Sequence, residues 1–459
     1  MKVPFLDLKI KNKIEQKKLI QCMKRIFVHG KFIEGPEVSQ FESKMGFYLK
    51  KRYAVGLSSG SSALYLSLKS LGIGPGDEVI TTPFTWIITV NAILETGAKP
   101  IFADIKEDFN IDPKSIENSI TKKTKAIVPM HVGGHMCEMF EINKIANKNK
   151  IYVVEDAAQA VCGSLRGKKA GYFSDIAAFS MNPMKMLNAL GETGLITTNN
   201  KKLYEKVLML RHAGTRKDPK KIDINNCYIG SLNHKIDTIQ ASFLLSNFNN
   251  LEDKRKKRDK FAKIYDQELG KIVNTQKYHK GEIHGRYLYI FSCNKRNKLL
   301  SYLRKHKIEC KVFYSPLASD APIFQNKKNK IRIKNARRLL KESLSIPLHE
   351  KLSYNQINYI KDNIEYIPPY RRGSLYIRPV VWGTAPILGV SPTSEYTFMV
   401  IVSPVGPYFK AGIKPLNLKV NTDYHRAAPK GIGNAKAIGN YSASLFFCLL
   451  AKAYRKLKQ

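Results

Sequence analysis

The sequence contains no stretch of apolar residues that approaches the roughly 20 needed to cross a membrane. Its first residues, MKVPFLDLKIKNK, also lack the apolar segment of a secretory signal. The seven cysteines are scattered, with no Cys-x-x-Cys pair and no histidine at a metal-ligand spacing. These absences argue against a membrane protein, a secreted disulfide-rich protein and a zinc-ribbon protein. We expect a soluble, cytoplasmic protein with reduced thiols and no metal site.

Acidic residues are scarce, since 37 Asp and Glu stand against 77 Lys and Arg and give a formal net charge of +40 at pH 7. Such an excess is typical of proteins that bind nucleic acid or anionic membranes. Here, however, the basic residues are spread through the whole chain and mixed with Asn and Ile. We therefore expect no specific nucleic-acid partner and no membrane partner. A basic nucleic-acid-binding protein remains the alternative from another functional class.

Short apolar strands alternate with helical stretches between residues 53 and 198. This alternation predicts an α/β fold with a mostly parallel central sheet and flanking helices. The predicted strands are 54–57, 78–82, 99–104, 125–130, 151–154 and 176–180. In sheets of this kind, ligands bind beyond the carboxyl ends of the strands.

The pattern changes twice further along the chain. A long basic helix is predicted over 237–267, followed by strands near 287–292 and 309–314 in a smaller α/β segment. We assign residues 1–250 to a large domain with an N-terminal helical segment, 251–366 to a small C-terminal domain, and 367–373 to a linker. Residues 374–459 are aromatic and β-rich with many Gly and Pro, which indicates a separate unit.

Two features near the first strands suggest a phosphate and a flat ring as ligands. Ser58-Ser59-Gly60-Ser61 stands between a strand and a helix, where backbone N–H groups and the helix dipole favour an anion. Trp86 follows the strand 78–82 and could stack on a planar cofactor. Taken singly, such a turn is more often an ordinary helix cap, and such a Trp more often a core aromatic.

Two charged residues follow later strands. Asp156 lies at the end of an apolar strand, where a carboxylate is costly unless it meets a partner such as a protonated pyridine nitrogen. Lys185 lies in an apolar loop between Ser180 and Gly191-Glu192-Thr193-Gly194, a setting that favours the neutral amine needed for Schiff-base chemistry. Alone, the Asp is more often a cap and the Lys a solvated charge. Their order along the sheet makes the combination specific.

In this order the motifs resemble those of the DegT/DnrJ-type sugar aminotransferases, which have the aspartate-aminotransferase-like fold and use pyridoxal 5'-phosphate (PLP). The resemblance runs from Pro4-Phe5-Leu6-Asp7-Leu8 to about residue 366. It implies transfer of an amino group from an amino acid, expected to be glutamate, to a keto-sugar that is expected to be nucleotide-linked. A PLP-dependent sugar dehydratase, in which histidine replaces the lysine, and a non-catalytic regulator are alternatives on the same fold.

The resemblance implies a role for each matched position. Lys185 matches the Schiff-base lysine, Asp156 the partner of the pyridine nitrogen, and Trp86 the stacking aromatic. Asn233 matches an asparagine that reaches the phosphate of a partner subunit, which implies a homodimer with shared active sites. The full set of implied cofactor-binding positions is Gly60, Ser61, Trp86, Asp156, Gln159, Ser180, Lys185 and Asn233. The sequence departs from the family in reading Asn-His-Lys from Asn233 where Asn-Tyr-Arg is usual, and a lysine cannot replace the two-pronged contact of an arginine.

Residues from about 373 onward resemble a middle fragment of the branched-chain amino acid aminotransferases, a different PLP fold. The resemblance is carried by Ser374-Leu375-Tyr376-Ile377-Arg378-Pro379 and by the segment from Gly433 to Tyr441. Lys436 matches that family's Schiff-base lysine and Tyr441 a tyrosine that contacts the cofactor. The fragment lacks that family's phosphate-binding arginine and its glutamate for the pyridine nitrogen. The arrangement resembles a fusion of two gene pieces or a sequence-assembly error, and we expect no independent activity from the second part.

Overall fold

The computed structural model describes residues 1–216, 225–324 and 333–365, together with the backbone of two strands between 374 and 405. The chain divides into two compact units, Met1–Pro369 and Tyr370–Gln459. Lys436 and Tyr441 lie outside the described residues.

The first unit alternates helices and strands along the chain. Its described helices of five residues or more are α1 Lys13–His29, α2 Pro36–Leu49, α3 Gly60–Ser70, α4 Ile87–Leu94, α5 Pro113–Glu117, α6 Met139–Asn149, α7 Lys201–Arg211, α8 Thr238–Phe248, α9 Leu251–Leu269, α10 Arg296–Lys305, α11 Lys334–Glu342 and α12 Tyr354–Glu365. Its described strands are β1 Tyr53–Leu57, β2 Glu78–Thr81, β3 Lys99–Phe102, β4 Thr124–Val128, β5 Tyr152–Asp156, β6 Ser164–Leu165, β7 Lys168–Lys169, β8 Ile176–Ser180, β9 Gly194–Thr198, β10 Asn274–Thr275, β11 Glu282–Ile283, β12 Tyr289–Ser292 and β13 Ser343–Ile346.

A seven-stranded sheet in the order β1-β9-β8-β5-β4-β2-β3 forms the centre of this unit. The strand pairs from β8 to β3 are parallel, whereas β9 runs antiparallel to both of its neighbours. The sheet is therefore mixed α/β and mostly parallel. All six strands predicted between 53 and 198 are present, but the prediction missed β9 in this sheet and the two-residue strands β6 and β7 outside it.

Helices cover both faces of the sheet, which is why its strands read as nearly continuous apolar runs. One face packs against α3, α4 and α7 through residues such as Leu64, Ile93 and Leu210. The other packs against α2, α6 and α8 through Phe41, Ile142 and others. Both faces are sealed, so a small molecule can reach the sheet only at its edges or strand ends.

The predicted helix over 237–267 is wrong in one respect, because the chain breaks at Asn249-Asn250 into α8 and α9. Asn250 leaves the helical region there with φ −103° and ψ 6°. The predicted strand near 309–314 is also absent. That stretch makes only isolated bridges, including one between Lys311 and Ser345, and β12 pairs instead with β10 and β13.

In the second unit, β14 Ser374–Gly383 and β15 Tyr396–Val405 pair antiparallel, with Ser374 opposite Val405 and Gly383 opposite Tyr396. No helix among the described residues of the chain has both the length and the apolar character to cross a membrane.

Candidate active site

A cavity of about 590 Å³ lies at the carboxyl ends of β5 and β8 and beside the start of α3. The structure brings together in it all but one of the positions expected to bind the cofactor. Those in its lining are Gly60, Ser61, Trp86, Asp156, Gln159, Ser180 and Lys185. The exception, Asn233, is exposed and does not line the cavity.

Asp156 ends β5 and turns a buried carboxylate toward the cavity, with 3% of the residue exposed. The Thr89 hydroxyl donates to its Oδ2 at 2.8 Å and the Ala158 backbone N–H to its Oδ1 at 3.2 Å. Because Thr89 uses its proton on Asp156, the neighbouring Thr85 hydroxyl, 2.8 Å away, donates to Thr89. Burial nevertheless raises the pKa of Asp156, since these neutral donors do not offset desolvation. The carboxylate is oriented and has no cationic partner in direct contact among the described residues.

Glu155, the preceding residue, differs from Asp156 because its carboxylate is paired with other groups of the protein. Its Oε2 lies 2.9 Å from Nε2 of the fully buried His131, whose Nδ1 accepts from the Cys137 N–H at 3.1 Å. Further donors reach Glu155 from the Gly171 N–H at 2.8 Å and the Ser174 hydroxyl at 2.9 Å. Burial alone would raise the pKa of Glu155, but the contacts with His131 and these donors lower it. Its charge is satisfied within the protein, so the pair is structural.

Gln159 is held in place from both ends of its amide. Its Oε1 accepts from the Gly133 N–H at 2.7 Å, and its Nε2 donates to the Tyr314 hydroxyl. Burial raises the pKa of Tyr314, which therefore stays protonated at neutral pH. The side chain thus forms a fixed part of the cavity wall.

Lys185 lies in the loop that joins β8 to β9. The loop is closed by backbone bonds from Met181 N–H to the Thr193 carbonyl at 2.8 Å and from Lys185 N–H to the Asn182 carbonyl at 3.0 Å. The ammonium nitrogen of Lys185 lies 4.4 Å from the ring centroid of Tyr287. Lys185 also acts electrostatically on Asp156, and both side chains line the cavity.

The start of α3 has the properties expected of an anion site. Ser59 caps the helix by accepting from the Ser62 N–H at 3.0 Å, and the helix continues for 11 residues. A Cβ at Gly60 would lie 2.7 Å from Cβ of Ser180, so only glycine lets the first turn approach the end of β8 so closely. His234, next to Asn233, reaches the same turn through a 3.0 Å contact between its Nδ1 and the Ser62 hydroxyl.

The residues at this site that sequence reasoning missed include Thr89, Tyr287 and Tyr314. Thr89 lies in α4, one helical turn beyond Thr85, so its spacing from Trp86 was available as a signal. Tyr287 and Tyr314 reach the cavity from the segments before and after α10, and no local pattern marks them.

The residues present fit PLP. An amine and a buried carboxylate share one cavity with a helix N-terminus, and the cavity volume lies within the usual range of about 300–1,000 Å³ for small-molecule sites. This set, at the strand ends of a mostly parallel, helix-covered sheet, is the kind of site that a PLP-dependent enzyme needs. The model of the DegT/DnrJ/EryC1/StrS aminotransferase family matches residues 13–365, and the chain belongs to this family. It is a PLP-dependent aminotransferase.

Several relatives match this chain over nearly the whole of their own length. A pleiotropic regulatory protein of Geobacillus stearothermophilus is 33% identical over 370 residues, which is 79% of this chain and 98% of the relative. The UDP-2-acetamido-2-deoxy-3-oxo-D-glucuronate aminotransferase of Pseudomonas aeruginosa is 30% identical over 361 residues, covering 78% and 98%. The crystal structure of DesV from S. venezuelae in complex with a ketimine intermediate is similar with a TM-score of 0.75 and 30% identity, over 79% of this chain and 97% of that one.

Proposed function

We propose that this chain transfers an amino group from an amino acid, expected to be glutamate, to a nucleotide-linked keto-sugar, and that Lys185 binds the cofactor. The observation that carries the proposal is the placement of Lys185 and Asp156 in one cavity at the ends of neighbouring strands. Relatives named for the transamination of UDP-linked and dTDP-linked sugars support the acceptor class.

When bound, PLP supplies an electron sink for removal of a proton from the α-carbon of an amino acid. Asp156 would hold the pyridine nitrogen in its protonated form, because a nearby positive charge strongly stabilises a buried carboxylate that has no other cationic partner. Thr89 and the Ala158 N–H fix the orientation of that carboxylate.

Lys185 would hold the cofactor covalently and then, once displaced by the amino donor, move a proton at its Nζ as base and acid. Gly60, Ser61 and Ser180 would bind the phosphate at the start of α3, where the helix dipole favours an anion. Trp86 would stack on the ring, and Gln159 would contact it from the cavity wall. Trp86 is 62% exposed in the single chain, as expected of a residue at the cavity mouth.

We further propose a homodimer in which Asn233 reaches the phosphate of the partner subunit. Its exposure outside the cavity of its own chain is compatible with this role. Apolar side chains elsewhere on the single chain, including Phe27, Val28 and Phe47, are also exposed and would gain from being covered. The contact usually made by an arginine two positions after Asn233 would be altered, because Lys235 stands there.

The domain boundaries at 250, 366 and 373 are also part of the proposal, as is a cytoplasmic location. We propose that 374–459 is a branched-chain-aminotransferase-like fragment without independent activity, because the family match that accounts for the enzyme ends at 365.

The decisive test is Lys185→Ala, with Lys201→Ala on an exposed helix start as the matched control. Purified wild-type protein should show the absorbance band of lysine-bound PLP and transaminate members of a panel of nucleotide-linked keto-sugars with glutamate. Lys185→Ala should lose the band and the turnover together, whereas the control should keep both. Turnover retained by Lys185→Ala would refute the role of Lys185. PLP binding without turnover on any sugar of the panel would favour a regulator.

A further inference from the structure

Three segments that are distant in sequence meet outside the lining of the active-site cavity, and each contributes a side chain that can bind a metal ion. Asp108 comes from the loop after β3, His135 from the loop after β4, and His279 from the stretch before β11. One ligand atom of each lies within 4.8 Å of the other two. His135 follows Asp108 by 27 residues and His279 follows His135 by 144, so no short sequence motif indicates the cluster.

Each of the two histidines is held through one ring nitrogen by an oxygen atom behind it. Nδ1 of His135 lies 2.9 Å from Glu282 Oε1 and its Nε2 lies 3.4 Å from Asp108 Oδ2, so the imidazole stands between two carboxylates and a metal ion would take the place of the proton on Nε2. Nε2 of His279 donates to the Met136 carbonyl at 3.0 Å, which leaves the Nδ1 lone pair of His279 available. A carboxylate or carbonyl behind each imidazole is the arrangement that fixes metal-binding histidines in their productive tautomer.

The distance between two of the ligand atoms also suits a metal better than a hydrogen bond. His135 Nε2 and Asp108 Oδ2 are 3.4 Å apart, longer than the roughly 2.7–2.9 Å of a charge-assisted hydrogen bond. Ligands at about 2.0–2.1 Å from a tetrahedral zinc ion are separated by about 3.3 Å along the tetrahedron edge. His135 is fully buried and the Asp108 side chain is 10% exposed, so an ion there would be largely shielded from water.

We propose that Asp108, His135 and His279 bind a divalent transition-metal ion of the zinc type, with Glu282 as the outer partner of His135. Two imidazoles and one carboxylate form a known zinc ligand set, which leaves a fourth position for water. The sequence-based expectation of no metal site would then be wrong.

Such an ion would act as a clamp on the wall of the active-site cavity. His135 follows Gly133 and Gly134 in one turn, and the Gly133 N–H holds Gln159. The Gly134 carbonyl accepts from the Gly285 N–H at 2.8 Å, which ties the same turn to the segment that carries Tyr287. Joining the loops at Asp108, His135 and His279 would therefore stiffen both the Gln159 and the Tyr287 sides of the cavity.

The test uses the full-length, PLP-loaded protein, stripped with a chelator and titrated with Zn²⁺ in a calorimeter. We expect about one equivalent of tight binding, confirmed by elemental analysis, and a rise in the thermal unfolding midpoint that the chelator reverses. The PLP absorbance, recorded throughout, reports whether the cavity is intact. Weak, non-stoichiometric binding to the wild type would overturn the proposal and leave the cluster as a hydrogen-bonded clamp.

Three variants locate the ion. His279→Gln keeps an amide donor for the Met136 carbonyl but removes the ligand nitrogen, so Zn²⁺ affinity should fall by more than 100-fold. Glu282→Gln changes the outer partner of His135, which also accepts from the Met136 and His279 N–H groups, and should cost about 10- to 100-fold. His306→Gln is the matched control on a remote helix end and should bind like the wild type.

Asp108→Asn serves as the second ligand variant if His279→Gln fails to retain PLP. Wild-type affinity in whichever ligand variant retains PLP would exclude this site. The readouts of this test are metal content and unfolding temperature. Failure of the metal-site proposal therefore leaves the aminotransferase proposal intact, and loss of PLP chemistry would not by itself count against the metal site.

Discussion

Replacement of Glu350 by Gln should cost the protein a large and pH-dependent part of its stability. Glu350 accepts from Nη2 of Arg258 at 2.7 Å and from its Nε at 2.9 Å. Arg258 is 3% exposed, lines the active-site cavity, and donates through Nη1 to the Arg286 carbonyl at 3.3 Å. The carboxylate is the charge that compensates this buried guanidinium, so its removal leaves an unpaired cation beside the cofactor site.

The pKa of Glu350 gives the size of the effect. Burial alone would raise this pKa, but the Arg258 guanidinium outweighs burial and lowers it from 4.5 to about 2. A difference of that size corresponds to at most about 3 kcal/mol of folding free energy, and the part of the side chain still open to solvent reduces it. Because the pKa is depressed in the folded state, the stabilisation is complete above about pH 5.5. It is lost as the pH falls through 4.5 toward 2, and near pH 3 less than half of it remains.

Urea unfolding of the wild type and Glu350→Gln at pH 7 and at several values down to pH 3 tests this. The difference between the two proteins should be on the order of 2–3 kcal/mol at pH 7 and shrink steadily toward pH 3. Glu205→Gln is the matched control, since Glu205 pairs with Lys201 at 3.9 Å on the surface and should contribute less than about 0.5 kcal/mol. The reasoning is refuted if Glu350→Gln costs no more than Glu205→Gln, or if its cost does not change with pH.

Three further outcomes follow from the cavity. Asp156→Asn should still bind PLP but lose roughly 10²-fold or more in kcat, because a neutral amide cannot hold the pyridine nitrogen protonated; kcat unchanged in steady-state assays would contradict this. Gly60→Ala should destabilise the protein by about 1–3 kcal/mol and weaken PLP binding, because the new Cβ would lie 2.7 Å from that of Ser180. The control Gly74→Ala, whose Cβ would have its nearest neighbour at 3.7 Å, should change neither property. Urea unfolding and cofactor titration measure the two effects. Truncation after Pro369 should leave PLP absorbance and turnover unchanged, and loss of either would give 374–459 a role in the enzyme.

The central sheet could be predicted because its strands are short apolar runs bounded by turns and helices. Asp156 was recognisable as a site residue because an apolar strand ends in a carboxylate, a placement that has a cost unless a partner is present. Strands β9 and β13 were not predicted from the sequence. Each contains only two large apolar residues among Gly, Ser and Thr, so pairing with neighbouring strands determines them more than composition does.

Residues whose role depends on distant partners were beyond sequence reasoning. Tyr314 meets Gln159 across 155 positions, and Thr89 meets Asp156 across 67. The contact of Tyr314 leaves no periodic or spaced signal in the chain, and the spacing of Thr89 from Trp86 does not by itself indicate its contact with Asp156. The resemblance to a family supplied the roles of Gln159 and Ser180, which their chemistry alone would not have indicated.

The end of β5 places two neighbouring carboxylates on opposite sides of one strand. A strand's side chains alternate strictly, so insertion or deletion of a single residue within β5 would exchange their surroundings. Glu155, which has the longer side chain, would then face the cavity, and Asp156 would face His131 and the Gly171 N–H. Both sites would fail from one change in length. The role proposed for Asp156 therefore depends on the registration of a five-residue strand as much as on the identity of its last residue.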